Sequence, residues 1–223
     1  MNNLSLEQVM LMYNRHQTLI HNAFWQHISL VYTSVLIGTS IAVPLGIVLT
    51  RHHRLGQQVL AFMSILQTVP SLVMFGLLIP LTGIGRHTAI IVLSLYSILP
   101  ILRNTYTGIS EVPPDYIEAA TGMGMSSAQT LLQVELPIAL PAIVTGIRLS
   151  SVYIVSWATI AGLIGAGGLG DVIQLGIGRF NHALILLGAV PSCFLAILTS
   201  YVIGRIAHMV TPAGLRRARQ GGA

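Results

Sequence analysis

Glu118-Ala119-Ala120-Thr121-Gly122-Met123-Gly124, followed after nine residues by Val134-Glu135-Leu136-Pro137, lies between two long apolar blocks. Its local chemistry predicts a small helical knob. Pro113-Pro114 cannot continue an incoming helix, and Asp115 with Glu118 three residues later reads as a capping box that starts a new one. That helix is expected to stop near Gly122 or Gly124, where glycine permits a left-handed residue. Ser126 with Gln129 is a second capping box, so a short helix is expected before Pro137 redirects the chain into the next apolar block. Capping alone also fits an ordinary amphipathic connector.

The blocks on either side read as membrane-spanning. Hydrophobic residues make up 53% of the chain and charged residues 8%, against about 25% charged in a soluble domain. Mean hydropathy is +0.77. The runs Ile28 to Thr50, Leu55 to Gly85, His87 to Leu102, Leu149 to Gly170 and Phe180 to Gly204 are each near or above the ~20 residues that cross hydrocarbon. The third continues past Arg103 to Gly108, and the fourth can begin near Leu140 if Arg148 snorkels or faces the interior. The expectation is an all-α integral membrane protein with about five transmembrane helices.

Residues 1–22 carry Leu4, Leu6, Val9, Met10, Met12 and Tyr13 among polar residues at helical spacing, which predicts a helix lying on the membrane surface. Trp25 marks an interfacial anchor where the first crossing starts. Glu7 and Arg15 interrupt any signal-peptide core, so a cleaved leader is not expected. The lone Cys193 is read as a small apolar packing residue.

Pro44, Pro70, Pro80, Pro100, Pro141 and Pro191 fall in or near the crossings, where each removes a backbone donor and favours a kink. Freed carbonyls in a membrane need partners or water, so such breaks collect beside cavities or buried contacts. Gln67, Thr68, Ser71, Tyr96, Ser97, Tyr153, Ser156, Trp157 and Thr159 cluster near the same levels. They are candidates for lining a translocation path, although for any single residue hydrogen bonding to a neighbouring helix is the readier explanation.

Other motifs carry no chemistry here. Gly165-Ala166-Gly167-Gly168-Leu169-Gly170 fits G-x-G-x-x-G but follows an apolar crossing with no βαβ pattern around it. A Walker A loop requires lysine, and the chain has none. His52-His53, His21 and His27 have no Cys, Asp or Glu at ligand spacing and read as interfacial, so no metal is expected. Asp115 and Glu118 lack the accompanying nucleophile or metal set that a catalytic carboxylate pair needs, and no catalytic residue is expected.

The spacing Glu118-Ala119-Ala120, three residues, Gly124, nine residues, Val134-Glu135-Leu136-Pro137 resembles the EAA motif of ABC-importer permeases, with Val134 where that family prefers Ile. The blocks Gln67-Thr68-Val69-Pro70-Ser71, Ile79-Pro80-Leu81-Thr82-Gly83-Ile84-Gly85 and Leu95 to Ile109, with Ser156-Trp157-Ala158-Thr159 leading into Ile164 to Asp171, extend the likeness over most of the chain. Together they resemble the osmoprotectant branch of type I (MetI-like) importers, the glycine betaine, carnitine and choline permeases of the OpuC and OpuB kind. The Gly-Gly-Leu-Gly segment is less specific, since methionine-importer permeases carry a similar one.

The resemblance implies a transport subunit with no cofactor of its own. ATP and Mg would be bound by a separate cytoplasmic ATPase, a binding protein outside would deliver the solute, and a second permease, identical or related, would complete the channel. Residues 111–137 would be the cytoplasmic coupling loop. There Asp115 and Glu118 fix the docking helix, Ala119, Ala120 and Gly124 keep it slim, Gly122 belongs to the same coupling segment, and Leu136 and Pro137 close the motif. Residues 162–181 would be the outer loop, with Gly165, Gly167, Gly168 and Gly170 suited to gating. Gln67, Ser71, Tyr96, Tyr153, Trp157 and Thr159 are the path candidates, and ring faces of Tyr96, Tyr153 and Trp157 suit a trimethylammonium ion.

With that loop cytoplasmic, Arg51, Arg54, Arg103, Arg148, Arg205, Arg216, Arg217 and Arg219 fall inside, and Arg15, Arg86 and Arg179 outside. The positive-inside bias then places the N-terminus outside, the C-terminus inside, residues 23–212 as the permease domain and 213–223 as a cytoplasmic tail. The formal charge of +5 reads as topology and attraction to anionic lipid, since the scattered arginines form no nucleic-acid patch. The expected location is the bacterial cytoplasmic membrane. A methionine or other small-solute permease, and an ATP-independent channel or secondary transporter, remain as alternatives. The second predicts intramembrane ionisable residues or an inverted repeat.

Overall fold

The computed structural model describes residues 6–210, and among these the chain is helical with no strands. The arginine tail expected at 213–223 lies outside the described residues.

Helix α1 (Leu6–Thr50) runs for 45 residues through Trp25 without a break at the expected start of the first crossing. Its one interruption is His16, whose φ of −121° and ψ of 19° kink the helix well before residue 22, where the surface segment was expected to end. The segment after the kink packs Ile20 and Ala23 against Leu169 and Val172, so tertiary contact as well as amphipathicity holds it.

The second crossing is not one helix. Helices α2 (His53–Thr68) and α3 (Ser71–Thr82) meet at a bend of 94°. Pro70 lacks an N–H and drives Val69 into extended backbone at φ −67°, ψ 126°, which ends α2 there. Of the six prolines expected to kink crossings, only Pro70 separates two helices. Pro44, Pro80, Pro100, Pro141 and Pro191 all lie inside continuous ones.

Helix α4 (Arg86–Ser110) is the central post, with 72% of its most apolar window buried. It lies between α1 and α7 (Leu136–Ala161), and small residues set the approach. A methyl added to Gly38 of α1 would fall 1.7 Å from Ser97 Oγ, and one on Gly146 of α7 would fall 2.7 Å from Asn104 Cβ. The main core gathers Leu30, Phe75, Leu93, Tyr96, Ile154 and Leu195 around this post, while Leu36, Ile65 and Ile197 stay exposed on the outside.

Between α4 and α7 lie α5 (Pro114–Gly122) and α6 (Ser127–Thr130). Pro137 does not redirect the chain as expected: helix continues from Ser127 to Ile164 through a π turn at Leu131–Glu135. Pro137 sits in the first turn of α7, and the widened turn ahead of it makes room for the ring. After α7 come a 3₁₀ turn at Gly162–Ile164, α8 (Leu169–Gly178) and α9 (His182–Val210). Four helical runs are long and apolar enough to cross a membrane, or five if the bent α2–α3 pair counts as one span. Cys193 is exposed on α9, not packed inside as expected, because α9 buries the neighbouring Ser192 instead.

Candidate functional site

At one end of the bundle, α5 and α6 project as the knob. The capping box expected from Asp115 does not form. Pro113 holds the N-cap position with no side-chain bond, Pro114 takes the first helical position, and Asp115 is left in the first turn. Proline's preset φ starts the helix, and Asp115 contributes charge near the positive end of the helix dipole. The exit is a full left-handed cap. Met125 N–H donates to Ala120 O at 3.1 Å and Gly124 N–H to Thr121 O at 2.9 Å, with Gly124 at φ +80°. The second capping box is present: Gln129 N–H donates to Ser126 Oγ at 3.4 Å and Ser126 N–H to Gln129 Oε1 at 2.8 Å.

Asp115, Glu118 and Ala119 are exposed, and Ala120 is buried against the rest of the knob. Leu136 and Pro137 are half-buried where the knob joins α7. Gly122 is the last residue of α5, and a methyl there would meet nothing within 4 Å. Its smallness therefore answers to nothing among the described residues. With Glu111 also exposed, the knob presents three carboxylates outward.

One carboxylate in the motif points inward. Glu135 is 3% exposed, and both its oxygens accept from Nη2 of Arg51 at 2.9 Å. This pair ties the end of α1 to the start of α7 beside a cleft of about 150 Å³ lined by Ile117, Thr121 and Thr130. Sequence reasoning missed it; the available signal was a carboxylate directly before Leu136-Pro137 in an otherwise apolar run.

At the opposite end, Gly165, Gly167 and Gly168 have φ of +67°, +80° and +88°. Gly170 serves close approach instead: a methyl on it would fall 2.2 Å from Thr159 O. The loop is pinned and is not a loose flap. Gln26 Oε1 accepts from Gly168 N–H at 3.2 Å, while the buried Oδ1 of Asp171 has no hydrogen-bond partner. Burial pushes the Asp171 carboxyl above its ordinary value, opposed by the nearby Gly167 N–H. A cleft of about 660 Å³ between α1 and α8 is lined by Asn22, Gln26, Gly168 and Asp171. His27, expected at the interface, is fully buried: Nε2 lies 3.2 Å from Val155 O, and the ring fills the space beside Gly168 that a side chain there would need. Trp25 and His21 remain exposed and bond each other at 3.2 Å. No cluster of metal-ligating side chains occurs among the described residues.

Between the two ends, most of the path candidates meet at the α2–α3 bend. Pro100 has no N–H to give Tyr96 O, and the Gln67 amide supplies the missing bond at 3.2 Å. The Tyr96 hydroxyl donates in turn to Val69 O at the bend. The Tyr96 ring meets Trp157 edge-on at 4.9 Å and 73°, and Tyr153 lies 5.8 Å from Trp157 at 34°. Ser71 opens α3 beside them. Thr159 does not join this group. Its hydroxyl bonds Ser156 O at 2.6 Å, and it lines a separate cleft of about 230 Å³ with Ser192 and Cys193. The two arginines near the crossings are both engaged, Arg103 with Ser64 Oγ at 2.8 Å and Arg148 with Ser200 Oγ at 2.8 and 3.0 Å.

Residues 42–213 match the family described as binding-protein-dependent transport system inner membrane component. The chain is 44% identical to the carnitine transport permease protein OpuCB of Listeria monocytogenes, over 94% of this chain and 95% of that one. It is 44% identical to the choline transport system permease protein OpuBB of Bacillus subtilis, over 88% and 90%. It is 41% identical to the osmoprotectant import permease protein OsmW of Salmonella typhimurium, over 86% and 92%. Among solved structures, an inward-facing form of the methionine ABC transporter MetNI superposes with a TM-score of 0.81 at 26% identity, covering 89% of this chain and 99% of that one. The multi-pass helical architecture, the projecting knob and these likenesses agree: the chain belongs to the binding-protein-dependent transport system inner membrane component family of ABC-importer permeases.

Proposed function

We propose that this permease imports quaternary-amine osmoprotectants such as glycine betaine, carnitine and choline across the bacterial cytoplasmic membrane. It would work by alternating access with a second permease subunit. The relatives named for carnitine, choline and osmoprotectant transport, at 41–44% identity over nearly the whole chain, support this cargo over methionine. The likeness to the methionine transporter is lower, at 26% identity, and supports the architecture.

The observation that carries the coupling reading is the knob. It is capped at its exit and second helix, acidic on its outer face, and carries a glycine at position 122 whose open space none of the described residues uses. Such a shape suits insertion into a basic groove on a cytoplasmic ATPase, which would bind ATP and Mg. Helix runs without interruption from Ser127 to Ile164, so displacement of the knob would move Trp157 and the foot of the glycine loop as one lever. The knob end would face the cytoplasm, and the glycine loop would face an extracytoplasmic binding protein. Anionic lipid would meet the arginines at the helix ends.

Reconstitution of the chain with its ATPase and binding protein in liposomes tests this. ATP-dependent uptake of labelled glycine betaine, carnitine or choline, lost in Glu118→Arg, is the expected result. Methionine uptake in its place would reassign the cargo, and uptake without ATP would remove the coupling.

A further inference from the structure

The α2–α3 bend leaves backbone outside regular helix in a chain of otherwise continuous spans. In hydrocarbon such a break survives only where protein covers it or water reaches it. On one side the Tyr96 hydroxyl covers Val69 O, while Thr68 and Pro70 remain exposed on the other. At hydrocarbon depth that exposed side needs water or another protein chain against it. Behind the bend the buried Tyr96 ring packs edge-on against Trp157, and Trp157 in turn adjoins Tyr153, which is 42% exposed. The surrounding segments 53–110 and 136–161 contain no Asp or Glu, so no carboxylate lies on these helices to hold a cation.

A trimethylammonium group cannot donate a classical hydrogen bond, so hydroxyls and carbonyls gain little from it. The negative faces of aromatic rings do attract it. We propose that Tyr153 and Trp157 form a transient contact site for the quaternary ammonium of the transported solute. Tyr96, gripped by Gln67 and Val69, is the positioning residue that holds the indole. This rests on the quaternary-amine reading above. A site without a carboxylate suits transport, because the cation is recognised and still leaves.

The chain has two tryptophans, so Trp25→Phe leaves Trp157 as its sole indole. We would place this full-length variant in vesicles of phosphatidylethanolamine and phosphatidylglycerol, which carry no choline headgroups. Titration with choline is then compared with its neutral isostere 3,3-dimethylbutan-1-ol. The expected result is a saturable emission change with choline alone, weakened about 2- to 30-fold by Tyr153→Leu. Tyr96→Phe, which keeps the ring and frees it from Val69, should weaken it too. An equal response to the isostere, or no effect of Tyr153→Leu, overturns the site.

In the reconstituted complex, Trp157→Phe should retain most of the uptake. Trp157→Leu should lower kcat with little change in half-saturating solute, which the binding protein sets. Equal impairment by both would mean packing alone and overturn the site. Choline uptake by a complex whose Trp157 shows no binding overturns the site and leaves the cargo reading intact. Choline binding at Trp157 in a complex that imports only methionine overturns the cargo reading while supporting the aromatic contact.

Discussion

Arg51 at the end of α1 and Glu135 at the start of α7 are joined by one guanidinium nitrogen that donates to both carboxylate oxygens at 2.9 Å. Glu135 is buried and Arg51 is half-exposed, so the two sides of the pair are unequal. Removing the arginine strands a buried carboxylate. Arg51→Ala is expected to cost about 1–3 kcal/mol, and Glu135→Gln less, since the amide oxygen still accepts. Thermal unfolding in detergent checks the order, and the double variant Arg51→Ala/Glu135→Gln should be milder than the sum of the two.

Gly122 separates folding from docking. A methyl there meets nothing among the described residues and improves helix propensity by about 0.5–1 kcal/mol. Gly122→Ala should therefore leave the melting temperature unchanged or raised, yet lower ATP-coupled uptake by crowding the ATPase groove. Unimpaired uptake would show that the groove does not approach this residue.

The glycine loop contains two kinds of glycine, and substitution should tell them apart. Gly165→Ala meets open space and pays only for its left-handed φ of +67°, about 1–2 kcal/mol. Gly170→Ala drives a methyl to 2.2 Å from Thr159 O, and Gly162→Ala drives one to 2.4 Å from the Gly170 carbonyl carbon, where only backbone movement gives relief. Yield of folded protein and thermal stability should fall much further for these two than for Gly165→Ala.

Asp171 confers a pH dependence of defined sign. Burial raises its folded carboxyl above the ordinary 3.8, so the folded state binds the proton more readily than the unfolded one. Its contribution to stability is therefore greatest below 3.8 and declines as pH rises through the raised value. Asp171→Asn keeps the size of the side chain without its titration and should remove that decline, read as the difference in melting temperature between the two proteins across the window.

Gln67 illustrates how far the sequence could lead. Pro100 and Gln67 were each visible as a backbone break and a polar residue near mid-span. Their connection, an amide repairing the carbonyl that Pro100 leaves free on Tyr96, appears only once α2 lies beside α4. Gln67→Leu should cost about 1–3 kcal/mol for that unpaired carbonyl, measurable by thermal unfolding.

By itself the sequence determined what depends on neighbours a few residues away. The apolar runs follow from composition over about 20 residues, the second capping box from Ser126 and Gln129, and the stop after α5 from Gly124. The motif spacing was equally legible, because it lies in one short stretch. The tertiary structure decided the rest. One local competition was decided against the sequence reading as well: Pro113 took the N-cap and Pro114 the first helical position, leaving Asp115 in the first turn. Pro137 was absorbed into a continuous helix because a π turn could widen ahead of it, and Pro70 became a true break because Tyr96 was there to take up Val69 O. His27 went inside because the Gly168 backbone and Val155 O left a space of its shape. Arg51 found Glu135 across 84 residues because packing on α4 brings the ends of α1 and α7 together. Periodicity and capping act along one helix, whereas these choices depend on which helix lies opposite, and that is a property of the assembled bundle alone.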